Sequence, residues 1–255
     1  LYLMEVLPVV RQLSKCFMDP ELYVTNLYER FRSRASAEDA FFMAKYMKNQ
    51  FPFFGLKKPM RQEIEKDWFR HSGFPSLLDM PQVVHLLWEL PERECQYAAM
   101  DIMEKFRKEF TGQHLELFEY CIVTKPWWDT TDLIAARFIG TMFRNDVSLI
   151  RPCVQRWLED ENIWLRRTCL LFQLKYRKAT DRELLEETIR RLSGEKEFFI
   201  RKAIGWALRE YSKTDAHWVL EFVQNNPLSS LSRREALKVL KRKNDENSGN
   251  QRLPI

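Results

Sequence analysis

Apolar residues recur at three- and four-residue spacing along almost the whole chain, and no stretch sustains an apolar–polar alternation. That period belongs to helices packed on one side. Pro59, Pro81 and Pro91 each stand where a first-turn proline would open a helix. Ser36-Ala37-Glu38-Asp39 resembles a capping box before the run Ala40–Lys48. Breaks fall at His71-Ser72-Gly73, Leu90-Pro91, Thr111-Gly112, Lys125-Pro126, Asn145-Asp146, Ser193-Gly194 and Asn225-Asn226-Pro227. Asp146 is a candidate cap for the helix after its break. Between the breaks lie roughly a dozen helices of about 10–18 residues, joined by short turns.

Consecutive helices look paired. Ile163, Arg167 and Leu170-Leu171 loosely echo Phe199, Ala203-Ile204 and Leu208. Helix pairs repeating at about 40–47 residues mark HEAT-like arrays, and this chain would hold about six. The fold class expected is therefore all-α, a HEAT-like helical repeat array. With 255 residues, 45% of them hydrophobic, the chain can bury a sizeable core. Only 7 glycines leave little material for many tight turns between strands.

Composition narrows the chemistry. Cys16, Cys95, Cys121, Cys153 and Cys169 are widely spaced, odd in number and free of any CxxC pattern. They read as buried, reduced thiols of an intracellular protein. His71, His85, His114 and His217 form no HxxxH pair, so no metal site is expected. No apolar run is long enough to span a bilayer, and Leu1–Val10 lacks the basic start and cleavage pattern of a signal peptide. Nucleotide loops, a GxSxG elbow and HExxH are all missing, and no cofactor is expected. Net charge is +5, with balances of +2 over residues 1–80, −4 over 81–150 and +7 over 151–255. The basic excess in the last part suits a polyanion partner, and equally a solvated basic face.

Four stretches could carry chemistry. In the helix that begins near Lys196, Ile200, Ala203, Ile204, Ala207, Leu208 and Tyr211 share the core face. Trp206 lies about 120° from its centre, Lys202 about 160° and Arg209 about 180°. An aromatic between two cations fits a sugar–phosphate chain, or packing against the next helix pair. Near Trp127, residues Trp128 and Asp132 are i,i+4 neighbours if Asp129 caps or enters a helix. Ala136 and Gly140 continue the Asp132 face as a lane of small residues. The lane leaves room for a ligand, or for close packing of a second helix. In Asn162-Ile163-Trp164-Leu165-Arg166-Arg167, one arginine can pair with Asp132 or Asp129 and the other can meet phosphate; two surface ion bridges are the alternative. Ser232-Arg233-Arg234 at a helix start is a phosphate contact or an ordinary cap.

The stretches YMKNQFPFFG, LWELPERE, IVTKPWWDTTD, DENIWLRRTCLLFQLKY, KEFFIRKAIGWALREY and LSRREA closely resemble the AlkD-type alkylpurine DNA glycosylases, from about Ala37 to Lys241. The resemblance implies HEAT-like repeats curved around duplex DNA, with a concave basic face. It implies release of cationic bases, chiefly 3-methyladenine and 7-methylguanine, by hydrolysis of the N-glycosidic bond without flipping the base into a pocket. It places the catalytic aspartate on Asp132, the lesion-facing tryptophans on Trp128 and Trp206, and the motif arginine on Arg167. The backbone-contacting arginine falls on Arg209, and Tyr46 is a further candidate DNA contact. Lys202, Arg233 and Arg234 join these from the residue reading. The loop Gly55-Leu56-Lys57-Lys58-Pro59-Met60-Arg61 is more basic than the family pattern, which makes Lys57 and Lys58 candidate contacts to the opposite strand.

The expectation is thus one HEAT-like domain over residues 1–242, with 1–36 as an N-terminal helical extension and 243–255 as a disordered tail. It would act as a monomer on double-stranded DNA containing alkylated bases, inside the cell and away from membranes; in a bacterium it would be cytoplasmic and associated with the nucleoid. Trp127 and Asp129 are expected to be structural, as a core contact and a helix cap. The alternative is a non-catalytic helical-repeat module that binds damaged or distorted DNA, in which Asp132 serves packing.

Overall fold

The computed structural model describes residues 18–249, and these are helices joined by turns and short loops, with no strand among them. The first 17 residues, including Cys16 and nearly half of the expected N-terminal extension, and the last six of the tail, lie outside the described residues. The described chain divides into two compact units, one ending at Lys105 and the other beginning at Phe106.

In the first unit, α1 (Pro20–Arg32), α2 (Ala37–Tyr46), α3 (Lys58–Ser72), α4 (Met80–Glu89) and α5 (Arg93–Lys105) follow the expected punctuation. The Ser36 hydroxyl accepts the Asp39 N–H at 3.3 Å and so opens α2. Pro59 and Pro81 lie in the first turns of α3 and α4. Pro91 does not: α4 ends at Glu89 and α5 starts only at Arg93, so this proline serves the linker. The core lies between α1, α4 and α5 around Leu27, Phe31, Val83, Leu87, Trp88, Ala99 and Met103, all buried.

Two buried acids shape this unit. The Glu94 carboxylate accepts the backbone N–H groups of Phe54 at 3.1 Å and of Gly55 and Leu56 at 2.9 Å. It thereby fastens the loop that leads to Lys57 and Lys58. Arg61 lies between Glu65 and Asp101, bonding Glu65 Oε1 and, at 2.7 Å, Asp101 Oδ2. Burial is the main cause that pushes the Glu65 carboxyl up, from an ordinary 4.5 to about 8, although Arg61 opposes it. A carboxyl whose folded pKa is raised binds its proton more tightly in the folded state. Its contribution is complete below pH 4.5 and is lost as pH rises through about 8. Denaturant unfolding at pH 6 and pH 9 should therefore show wild type losing on the order of 2 kcal/mol relative to Glu65→Gln. A pH-independent difference between the two proteins would count against a protonated Glu65.

The second unit contains α6 (Leu115–Val123), α7 (Trp128–Leu133), α8 (Gly140–Asn145), α9 (Ile150–Glu159), α10 (Ile163–Leu171), α11 (Arg182–Leu192), α12 (Phe198–Tyr211), α13 (Ala216–Asn225) and α14 (Ser230–Gly249). Asp146 accepts the Ser148 N–H at 3.1 Å and caps the 3-10 turn before α9. The core of α10–α14 gathers Leu170, Leu171, Leu185, Ile189, Ile200, Ala203, Ile204, Leu208, Val219 and Phe222. The stripe expected on α12 is thus the buried one. α14 extends into the stretch read from sequence as the tail. Cys95, Cys121, Cys153 and Cys169 are buried, and none of the four forms a disulfide.

Candidate active site

The site grows from the turn that ends α6. Trp127 is extended (φ −159°, ψ 164°) and precedes α7, whose first residue is Trp128. Asp129 is the second residue of that helix, and no side chain caps it. The cap expected of Asp129 is therefore corrected: it sits two residues past the N-cap position, in the first turn, where an acid still favours the helix dipole. Trp128 and Asp132 are both inside α7, one turn apart.

After Leu133 the backbone widens into a π-helix over Ile134–Ile139 before α8 resumes the ordinary pitch. A π-turn adds a residue per turn and breaks the 100° count. The lane Asp132, Ala136 and Gly140 drawn on a regular wheel therefore does not continue as one face. At Gly140 the close neighbour is the chain itself. An added Cβ would lie 2.4 Å from the Phe172 carbonyl oxygen, and the Tyr176 hydroxyl donates to the Gly140 carbonyl at 2.8 Å. The small residue there admits α10's end, so packing is the reading that holds for Gly140.

Of the two adjacent arginines, Arg167 meets Asp132. Its Nε donates to Oδ1 at 2.7 Å and its Nη2 to Oδ2 at 2.8 Å, a side-on, two-bond pair. Nη1 donates to the Phe199 carbonyl at the start of α12. The Arg167 side chain is 3% exposed and that of Asp132 is 13% exposed. Arg166 instead donates to Glu195 at 3.0 Å and to the Glu161 carbonyl at 3.3 Å. Burial is the largest influence on Asp132 and raises its pKa. Arg167 works in the opposite direction, and Asp129 adds to the rise.

Aromatic rings wall the pair. Trp127 packs tilted on Trp164 (centroids 5.8 Å) and edge-on to Phe199 (5.1 Å), and Trp164 meets Phe199 at 4.9 Å. The Arg167 guanidinium lies 5.9 Å from the Phe199 ring centroid. Trp127 is thus part of an aromatic support. In the sequence Phe199 stands out only as a repeat position, not as a site residue. Its part is played by a backbone carbonyl and a ring, and neither leaves a mark in a residue pattern.

From Phe199, the residues Lys202, Trp206 and Arg209 follow at intervals of three, four and three, so they share one side of α12. Trp206 lies about 10 Å along the axis from Phe199. It is half-buried and rests on the α10–α14 core. Lys202 and Arg209 both pair with Glu235 of α14, at 2.7 Å and 2.5 Å. Of the last candidates in this unit, Arg233 donates to the Asn226 carbonyl at 3.3 Å and Arg234 is exposed. The Ser232 hydroxyl donates to the Arg201 carbonyl at 2.8 Å, so it holds α14 to α12 and does not wait for an anion. Tyr46, Lys57 and Lys58 belong to the first unit. Tyr46 ends α2 and is exposed, Lys57 pairs with Asp39 at 2.7 Å, and Lys58 opens α3 on the surface.

Such an arrangement offers a buried anion fixed by a cation, beside aromatic rings and a basic helix face. It can stabilise positive charge that develops in a substrate. Among the described residues, no group of three or more His, Cys, Asp or Glu is placed to hold a metal ion, and no helix is long and apolar enough to cross a membrane. Residues 27–240 match the family model described as DNA alkylation repair enzyme. The solved structure of a predicted DNA alkylation repair enzyme from Enterococcus faecalis is 34% identical, with a TM-score of 0.74, over 81% of this chain and 96% of that one. No curated protein matches the chain. The family match spans both units and includes Asp132, Arg167, Trp206 and Arg209, and on this ground the chain belongs to the family of DNA alkylation repair enzymes.

Proposed function

We propose that this protein is a monofunctional DNA glycosylase that hydrolyses the N-glycosidic bond of cationic alkylated purines, 3-methyladenine and 7-methylguanine, in duplex DNA. The observation that carries the reading is the buried Asp132 held by two hydrogen bonds from Arg167. A purine alkylated at N3 or N7 already carries a positive charge. When the bond breaks, its electron pair stays with the base, which departs neutral and needs no general acid. The positive charge moves to the sugar. Asp132 would face that charge, and each of its oxygens keeps a lone pair beyond the one used by Arg167. Water adds at C1′ and loses a proton to Asp132 or to solvent.

In this scheme Trp128 and Trp206 hold the deoxyribose and attract the growing cation with their ring faces. Lys202, Arg209, Arg233 and Arg234 meet phosphates, and Tyr46, Lys57 and Lys58 are further DNA contacts. The helices act as HEAT-like repeats, and the lesion is attacked from the backbone side while its base stays stacked. The test is release of 7-methylguanine from methylated duplex DNA, comparing wild type with Asp132→Asn. Tight binding to the methylated duplex with no free base from either protein would replace this reading by a binding module.

A further inference from the structure

Glu235 is another acid of the second unit taken out of solvent, its side chain 8% exposed. Its two oxygens are divided. Oε1 receives Lys202 Nζ at 2.7 Å and Oε2 receives Arg209 Nη1 at 2.5 Å. The cations are more open than the acid beneath them, at 38% for Lys202 and 22% for Arg209. Between them on the helix stands Trp206, one turn from each. The acid cannot drift. A Cβ on Gly205 would lie 2.5 Å from the Glu235 Cβ, so the two helices touch there, and the Ser232 bond to the Arg201 carbonyl locks the same contact. The hydrogen bond from Lys202 is the largest influence holding the Glu235 carboxyl below its usual range, against the effect of burial.

Stability alone is a poor reason for such a triad, because well-packed apolar residues serve as well. Geometry is a better one. Two long, flexible cations are tied to the two oxygens of one carboxylate, and each has N–H donors beyond the one it gives to Glu235. We infer that Glu235 is a positioning residue that clamps Lys202 and Arg209 on either side of Trp206 as one receptor for a DNA phosphate. The inference rests on the proposed function, since it sets the register of the strand that carries the damaged nucleotide.

The clamp also lowers the local charge from +2 to +1, and this separates it from a merely structural role. Glu235→Gln should bind a short undamaged duplex at least as tightly as wild type, with a salt slope steeper by about 0.9. Its kcat for 7-methylguanine release should fall about tenfold to a hundredfold, because the cations lose their fixed position. Glu235→Asp keeps the charge and draws the clamp back by one methylene. It should keep the wild-type salt slope and still release base more slowly. Binding and release that weaken together in both variants, or release that stays at the wild-type rate, would overturn the inference. Should wild type release no base, the proposed function falls, and the binding arm still decides: an unchanged salt slope in Glu235→Gln rejects the clamp. Circular dichroism melts of both variants confirm that folded protein is compared, and Glu235→Asp carries the test if Glu235→Gln does not fold.

Discussion

Asp132→Asn should release 7-methylguanine from methylated duplex DNA about a thousandfold more slowly than wild type, while binding that duplex with nearly unchanged affinity. The magnitude follows from charge. A unit negative charge about 4 Å from a developing cation contributes about 4 kcal/mol at an effective dielectric near 20, which is about three powers of ten in rate. Arg167 bonds the carboxylate and opposes its field. The opposition is present in both proteins, so the difference between aspartate and asparagine retains the full size of the lost charge. Binding should survive because the proposed phosphate contacts belong to other residues. Asparagine keeps one acceptor for Arg167 and turns a donor toward it, at a cost of about 1–3 kcal/mol. The assay therefore belongs at a temperature where melting shows the variant folded. Equal release from the two proteins would remove Asp132 from the chemistry.

Arg167→Ala should be the most destabilising of these changes, by roughly 3–5 kcal/mol, because it leaves an unpaired carboxylate inside the protein. For a unit of this size the melting temperature should fall by about 10 °C. The Phe199 carbonyl loses its donor at the same time. The loss should depend on pH. Burial already raises the Asp132 pKa, and Arg167 opposes that rise. Without the arginine, the carboxyl binds its proton still more tightly when folded. The stability that a raised carboxyl contributes is present below its unfolded pKa and disappears as pH rises through its folded one. Arg167→Ala should thus be closer to wild type at pH 5 than at pH 8. The double variant with Asp132→Asn should lose less than the sum of the two single changes, since the buried charge is gone. A melting temperature equal to wild type at pH 8 would show that the pair does not support the fold. Arg167→Lys keeps a charge but not the two-bond geometry, so its base release should stay well below wild type.

Much of this site is local and could be read from residue spacing. Helical pitch alone places Trp128 with Asp132, and Lys202 with Trp206 and Arg209. The same pitch separates α12's buried stripe, Ile200 to Leu208, from that basic side. Ser36 and Asp146 mark their caps because a cap is a contact between residues two or three apart. Where the reading departed from the structure, a local rule had been carried past its range. Asp129 lies two residues past its helix's N-cap position. Pro91 stayed in the linker before α5. The π-turn after Leu133 shifted the wheel on which Gly140 had been placed.

The residue pattern thus determined an all-helical chain with most of its breaks, and the one-turn neighbours on α7 and α12. It also carried the resemblance that points to alkylation repair. Tertiary structure decided the rest. Asp132 could have paired or packed, and the meeting of α7 with α10 gave it Arg167. Either arginine of the 166–167 pair could have turned inward, and Glu195 drew Arg166 away. Glu235 became the floor beneath Lys202 and Arg209 only because Gly205 lets α14 lie against α12. The physical reason is one of range. Pitch and capping act over a few residues and repeat along the chain, whereas a side chain 26 or 35 residues away in sequence is brought near by helix crossing angles that no periodicity records.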